Sequence, residues 1–536
     1  MRTKCVFSKY IYTFTALLAL LAFALAAPRT LWAHDDADDA PTKTPIKHVV
    51  VIFQENVSFD HYFATYPHAK PNADGSVFFK KAKDGTPRVN NLESAGLLTS
   101  NPNGVNPFRM DRAFPNTCDQ DHVYGDEQFV FHGGLMDGFA GTKPGSTALY
   151  SCNDPHYGKF SVMGYFDGNT VTALWNYAQN FAMSDNHYGT TFGPSTPGLL
   201  NLLSGTTYGG TIKLNSPAGF ISGGTTFGTV IGDADPYGDK CSGATRGQVQ
   251  MTVNPSVGDL LNTAGLTWGS FMGGFNSCTA ITTGLTGLAS STDYIPHHAF
   301  TQYWASTLNP NHTPPASTSM IGKSDGVSNH EYDLSLFFTA LNEHRLPAVS
   351  ILKAPAYEDG HAGYSDPIDE QFFLVNTINA LMKSDEWKET AVIITWDDSD
   401  GWYDHVMGPI INQSNAPEDQ LLGPKNCGTP KPVDSKGDIQ NARCGYGPRI
   451  PLMVISPYSR KNYVDHRVLD FSSILRFIED NWSLGRIGNG STDAVAGSLF
   501  GMFDFDDHDH GRHDRDSKLI LDPVSGRIID GDFDSE

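Results

Sequence analysis

Two pairs of metal-ligand side chains, Glu55-Asn56 and Asp397-Asp398, each follow directly on a short apolar run, HVVVIFQ at 48–54 and AVIITW at 391–396. Carboxylates and an amide carbonyl brought together from two strand ends would hold a hard divalent cation. Each pair also reads as the N-cap of a following helix, a position that Asp and Asn favour. Its repetition on two runs weights the reading towards metal. Ser195, within TTFGPSTPGLLNLLSG at 190–205, stands where a loop opens into an apolar helix. Free backbone N–H groups and the positive helix end would stabilise an alkoxide and an incoming phosphate there. A plain Ser N-cap with Pro197 in the first turn fits the same residues. The GxSxG elbow of α/β-hydrolases is not matched, because Pro197 stands where its second glycine belongs. Five histidines complete the set: His122, His297, His298, His361 and, as a possible addition, His405, each in a polar loop rather than on an apolar face. Alone, each reads as a surface or structural histidine; together they could donate hydrogen bonds to phosphoryl oxygens and protonate a leaving alkoxide.

The elements that must position these residues can be read from the apolar pattern. Strand-like runs recur at 181–184, 266–272, 348–353, 391–396 and 452–456, and helical spacing marks 370–383 and 469–481. Strand, helix, strand repetition predicts an α/β fold with a doubly wound, mostly parallel sheet flanked by helices, and such sheets bind ligands beyond the carboxyl ends of their strands. Three stretches dense in Gly, Pro, Asn and Thr, near 71–173, 206–262 and 407–449, break the rhythm and are expected to be cap insertions on one catalytic domain at 46–503.

The termini set the compartment. Arg2, Lys4 and Lys9 precede an apolar stretch over 10–27, the pattern of a secretory signal, and cleavage after Ala26, Ala27 or Ala33 removes it. The alternative is an uncleaved anchor; no other run is long enough to span a membrane. We therefore expect a signal peptide at 1–33, an acidic linker at 34–45, an acidic, His-rich tail at 504–536 and a secreted or periplasmic protein with no membrane span in its mature form. Apart from Cys5 in the leader, six cysteines remain, an exported-protein disulfide pattern with none of the CxxC spacing of zinc or redox sites. Neighbour pairing, 118 with 152, 241 with 278 and 427 with 444, is the expectation. A formal charge of −22 argues against a nucleic-acid partner, since phosphate backbones need clustered Lys and Arg. It also means that any phosphate site must work through local cations and dipoles.

ENVSFDHYF at 55–63, CDQDHVYGDEQ at 118–128, TTFGPSTPGLLNLLSG at 190–205 and TWDDSDGWYDHV at 395–406 together resemble the bacterial phosphoesterase family of acid phosphatase A and the non-haemolytic phospholipases C. The resemblance runs over nearly the whole chain beyond the leader. It implies an alkaline-phosphatase-like core, one divalent metal (Ca, Mg, Mn or Zn) on Glu55, Asn56, Asp397 and Asp398, Ser195 as nucleophile, and His122, His297, His298 and His361 around the phosphoryl group. Where the phospholipase branch commonly carries Thr this chain has Ser195, and PHHAFTQYWASTLNP at 296–310 and LILDPVSG at 519–526 look more like the acid phosphatase branch. The chain is too short for the extra C-terminal β-domains of the larger phospholipases. Two positions depart from the family's habit: Val57 follows Glu-Asn in place of a frequent Arg, and Gly360 precedes His361 in place of a frequent acid. The expectation is an enzyme hydrolysing phosphomonoesters through a phosphoserine, with an acidic optimum set by protonated histidines. The alternatives are a phospholipase C acting on glycerophospholipids and a secreted phosphate- or metal-binding protein without turnover.

Overall fold

The computed structural model describes residues 40–531 except 215–220, 223–226, 289, 415–418, 420, 422–426, 428–443 and 506–516. The signal expected at 1–33 and most of the linker fall outside the described residues, as does the Asp/His run at 506–516.

Eight strands form the central sheet: β1 His48–Gln54, β2 Ala182–Ser184, β3 Trp268–Met272, β4 Glu331–Asp333, β5 Val349–Lys353, β6 Thr390–Trp396, β7 Leu452–Ile455 and β8 Tyr463–Asp465. Their order is β4-β3-β5-β1-β6-β7-β2-β8. Every neighbouring pair is parallel except those made by β7, which runs antiparallel to both β6 and β2. The mostly parallel sheet expected from the apolar runs is therefore present, and all five runs lie in it. β1 and β6 sit at its centre, with every residue of both strands buried. A strand covered on both faces is apolar on both, which is why the middles of these segments read as continuous Val/Ile runs rather than as an alternation.

Register converts this sheet into a site. Gln54 pairs with Trp396, so β1 and β6 end level, and Glu55-Asn56 and Asp397-Asp398 emerge side by side at the carboxyl edge. The Asp397 N–H still donates to the Gln54 carbonyl at 3.1 Å, extending the ladder one step past the strands.

The helices that matter here are α1 Phe59–Phe63, α2 Tyr124–Phe131, α3 Thr172–Asn180, α4 Ser195–Ser204, α5 Pro367–Lys383 and α6 Phe471–Trp482. The two helices expected from spacing are α5 and α6. Asp366 caps α5 by accepting from the Ile368 and Asp369 N–H groups, and Asp470 with Ser473 closes a capping box on α6. The segment 206–262 holds a separate five-stranded sheet built on Tyr208–Leu214 and Gln248–Met251. Disulfides join Cys118 to Cys152, Cys241 to Cys278 and Cys427 to Cys444, the neighbour pairing expected.

At both ends of the described chain the packing differs from the composition. Residues 40–45, inside the expected linker, are tied to the end of α6: Thr44 Oγ1 donates to Asn481 Oδ1 at 2.7 Å, and the Lys43 N–H to the Asn481 carbonyl at 2.8 Å. Residues 517–531, inside the expected tail, form an antiparallel ribbon, Leu519–Leu521 with Ile528–Gly531. Leu519 and Leu521 are buried, and Asn379 of α5 both donates to the Leu521 carbonyl and accepts from its N–H. The charged run before the ribbon dominates the composition of 504–536 and hides its apolar LIL.

Candidate functional site

Neither acidic pair caps a helix. Ser58 supplies the N-cap of α1, and the residues after Asp398 turn without entering a helix. Asn56 instead takes a left-handed backbone, φ 65°, a conformation that Asn tolerates better than most residues. Its Nδ2 donates to Glu55 Oε2 at 2.8 Å and its backbone N–H to Asp397 Oδ1 at 3.1 Å. The two strand ends are thereby locked to each other.

Ser195 is the first residue inside α4, not its cap. Pro194 holds the cap position and offers no side-chain hydrogen bond. The Ser195 hydroxyl is therefore free of helix duty, and its Oγ donates to Glu55 Oε2 at 2.9 Å and lies 3.4 Å from Asp398 Oδ2. Gly198 lets the helix come this close: a Cβ there would strike the Asp397 backbone, with its carbonyl carbon at 2.9 Å.

The histidines surround this cluster unequally. His298 Nδ1 lies 3.1 Å from Glu55 Oε1. His122 Nδ1 faces the Gln120 carbonyl at 3.1 Å and Asp400 Oδ1 at 3.2 Å, and the His122 and His361 rings stand edge to face at 6.1 Å. His297 meets His298 edge to face at 4.5 Å and sits between Asp233 and Asp235. Burial pushes the His361 imidazole down to about 4 and His298 well below its ordinary value. For His122 burial acts in the same direction, but Asp398, Asp400 and Asp119 outweigh it and hold the ring above its usual range. The expected set of protonated histidines is thus reduced, among His122, His298 and His361, to His122.

His405 stands elsewhere. Its Nδ1 pairs with Asp60 Oδ2 at 2.5 Å, its Nε2 faces Asn90 Oδ1 at 3.1 Å, and the same buried cluster contains Asp404 and Arg449. These ion pairs join α1 to the 404–405 turn, and Asp60, Asp404 and His405 bring ligand atoms within 4.8 Å of one another, apart from the Ser195 cluster.

The arrangement can take a divalent cation. Glu55, Asn56, Asp397 and Asp398 are all buried, and Asn56 Oδ1 has no hydrogen-bond partner within the protein. A buried carbonyl oxygen left unpaired is costly, and a cation is what would satisfy it. With Glu55, Asp398 and the Ser195 hydroxyl it makes an all-oxygen donor set suited to a hard ion. The carboxylates also repel: burial and Asp397 raise both Glu55 and Asp398 well above their ordinary values. Two further groups bring ligand atoms within 4.8 Å of one another nearby, Glu55 with His298 and Asp359, and Asp119 with His122, His361 and Asp400.

Comparison with known proteins places the chain in a family. The sequence profile of the phosphoesterase family matches residues 46–485. The chain belongs to the phosphoesterase family. Among its curated relatives, the non-hemolytic phospholipase C of Pseudomonas aeruginosa is 27% identical over 467 residues, 86% of this chain and 57% of that protein. Phospholipase C B of Mycobacterium tuberculosis is 23% identical over 477 residues, 86% of this chain and 78% of that protein. The chain spans little more than half the length of the first of these relatives. Among solved structures, a protein in the alkaline phosphatase superfamily from Vibrio parahaemolyticus aligns over 75% of this chain and 77% of its own, at 12% identity and a TM-score of 0.28.

Several residues of this candidate site escape a reading of the sequence. Lys353, the last residue of β5, extends its buried ammonium to Glu55 Oε1 and, at 3.3 Å, to Asp397 Oδ2. Burial opposes its charge, yet Asp397, Glu55 and Asp359 raise its pKa above the ordinary value. A lysine closing a strand carries no motif, although one closing an otherwise apolar central run is the signal available. Glu127 accepts from the Gly193 N–H at 2.8 Å and from Ser399 Oγ at 3.0 Å, and burial pushes its carboxyl up to about 8. It stood inside the CDQDHVYGDEQ motif unremarked. Asp359 and Asp233 lie in loops with no pattern of their own.

Proposed function

We propose that the chain is an exported, metal-dependent phosphoesterase that hydrolyses phosphomonoesters through a covalent phosphoserine on Ser195, an acid phosphatase type of activity. The observation that carries the reading is the Ser195 hydroxyl, at the start of α4 and hydrogen-bonded to Glu55 Oε2 beside Asp398. Ser195 Oγ forms the new bond to phosphorus while the ester P–O bond breaks in line. Its proton has Glu55 as acceptor already in place. His122, anchored through Nδ1 on Gln120 and Asp400, keeps Nε2 to protonate the departing alkoxide. Water then attacks the phosphoserine, Ser195 recovers its proton and phosphate leaves. A divalent cation on Glu55, Asn56, Asp397 and Asp398 would supply charge for the phosphoryl oxygens and a lowered pKa for the Ser195 hydroxyl. His298 and His361 are buried as neutral rings able to donate one hydrogen bond each. The six paired cysteines favour an oxidising compartment, outside the cytoplasm or in the periplasm.

The second reading, phospholipase C cleavage of glycerophospholipids, is favoured by the names of the relatives. It shares the site and differs in what stays attached to the phosphate. p-Nitrophenyl phosphate and phosphatidylcholine, offered to the wild type and to Ser195→Ala with and without chelator, separate the two. Monoester turnover that the substitution and the chelator both abolish is expected. Lipid cleavage without monoester turnover selects the second reading, and metal or phosphate binding without any turnover overturns both.

A further inference from the structure

Helix α4 meets a carboxylate where an anion-binding helix would keep its donors free. The first turn has few donors to give: Pro197 has no N–H, and the Gly198 N–H returns to the Pro194 carbonyl at 3.4 Å. The Thr196 N–H, one peptide beyond the nucleophile, donates to Asp233 Oδ1 at 3.0 Å. A helix N-terminus attracts phosphate through such N–H groups and the positive dipole end. Here Asp233 already holds that position with a negative charge.

The groups facing Asp233 leave that charge only partly compensated. His297 Nε2 is 3.9 Å from Asp233 Oδ2, but its Nδ1 is 3.7 Å from Asp235 Oδ1. Arg246 pairs its guanidinium with Asp235 at 3.2 Å and touches Asp233 only through the backbone carbonyl, at 2.9 Å. Tyr303 lies alongside, its hydroxyl on the Ala234 carbonyl at 2.7 Å and 3.4 Å from Thr196 Oγ1. The surroundings therefore hold two carboxylates against one guanidinium and one imidazole.

We propose that Asp233 is a specificity-determining residue that admits the monoanionic form of a phosphoryl group to Ser195 and turns away the dianion. The inference rests on Ser195 being the nucleophile. It assigns the acidic preference expected of this chain to the charge state of the substrate at the Thr196 N–H that Asp233 occupies. A phosphomonoester loses its second proton near pH 6, whereas a phosphodiester carries one charge throughout. The ratio of kcat/KM for the monoester to that for a diester should then fall by about tenfold for each pH unit above the second ionisation.

The test compares p-nitrophenyl phosphate with bis(p-nitrophenyl) phosphate from pH 5 to 8.5, using the metal-loaded wild type and Asp233→Asn. Asn keeps an oxygen for the Thr196 N–H and removes the charge. In the wild type the monoester-to-diester ratio should drop about fiftyfold between pH 6 and pH 8, and in the variant by no more than about fivefold. Inorganic phosphate serves as a second probe that needs no variant: its inhibition of the wild type should weaken in parallel as the dianion replaces the monoanion. Equal pH dependence of the ratio in both proteins, or phosphate inhibition that strengthens above pH 7, overturns the assignment. Turnover of neither ester by the wild type removes the nucleophile reading and this one with it, and is recognisable as such because no ratio then exists.

Discussion

Replacing Gly198 with Ala sets two known effects against each other at the point where α4 touches the site. In an unconstrained helix interior, Gly to Ala stabilises by about 1 kcal/mol through lower unfolded-state entropy and better propensity. Here the added methyl would stand 2.9 Å from the Asp397 carbonyl carbon and closer still to its oxygen. Carbon atoms settle at about 3.5 to 4.0 Å, so the helix must retreat by roughly 0.6 to 1 Å. Its obstacle is backbone at the end of a fully buried strand, which cannot rotate aside. Overpacking of this kind costs about 1–3 kcal/mol, so the net change is destabilising by about 0–2 kcal/mol. Activity should suffer more than stability, because Ser195 rides on the same turn and its distances of 2.9 Å to Glu55 and 3.4 Å to Asp398 must open. A misplacement of about 1 Å at a reacting group costs about a hundredfold. Urea denaturation gives the first quantity and kcat/KM on p-nitrophenyl phosphate the second. A variant more stable than the wild type by the full propensity gain, with activity within threefold, would show that α4 does not bear on Asp397 and would refute the geometry.

Two further outcomes follow from buried charge. Burial pushes the Glu370 carboxyl up to about 8, and its oxygens accept from Trp396 Nε1 at 2.6 Å and Tyr62 OH at 2.9 Å. Because its folded pKa lies above the unfolded value, its stabilising contribution is complete below about pH 4.5 and is lost as pH rises towards 8, by up to about 5 kcal/mol. Glu370→Gln keeps an acceptor for Trp396 and cannot ionise, so its stability from pH 5 to 8 should fall less than that of the wild type; parallel curves would contradict this. Lys353→Met removes the cation shared by Glu55 and Asp397 and should destabilise the chelator-treated protein by about 3–5 kcal/mol. Saturating divalent cation should recover much of that loss, and a thermal shift that is the same with and without metal would argue against a cation at these carboxylates.

The sheet was legible because its signal is local. β1, β5 and β6 are buried along their length, so their interiors are mostly apolar, with polar residues chiefly at their ends, and the eye finds such runs without knowing their partners. The antiparallel course of β7 was not legible, since the direction of a strand depends on the path of the chain before it, here through 407–449. The ribbon at 519–531 was missed for a related reason: three apolar residues suffice when a helix such as α5 supplies the rest of the interface.

The site divides along the same line. Glu55, Asn56, Asp397, Asp398 and Ser195 follow directly on a strand or open a helix, where position in the sequence implies position in space, and they do come together. His405 shares the motif of Asp397 and Asp398 but lies nine residues past the end of β6 at Trp396, and the chain has by then carried it to Asp60 and Arg449. Lys353, Asp359 and Asp233 reach the cluster from separate strands and loops, so their relevance exists only once the fold is formed. These are also the residues that set its charge: Lys353 offsets the carboxylates, and Asp233 occupies the donor that a phosphate would seek. A motif therefore locates the candidate nucleophile and the candidate metal ligands, while the charges placed beside them, on Lys353 and Asp233, come from residues that no motif contains.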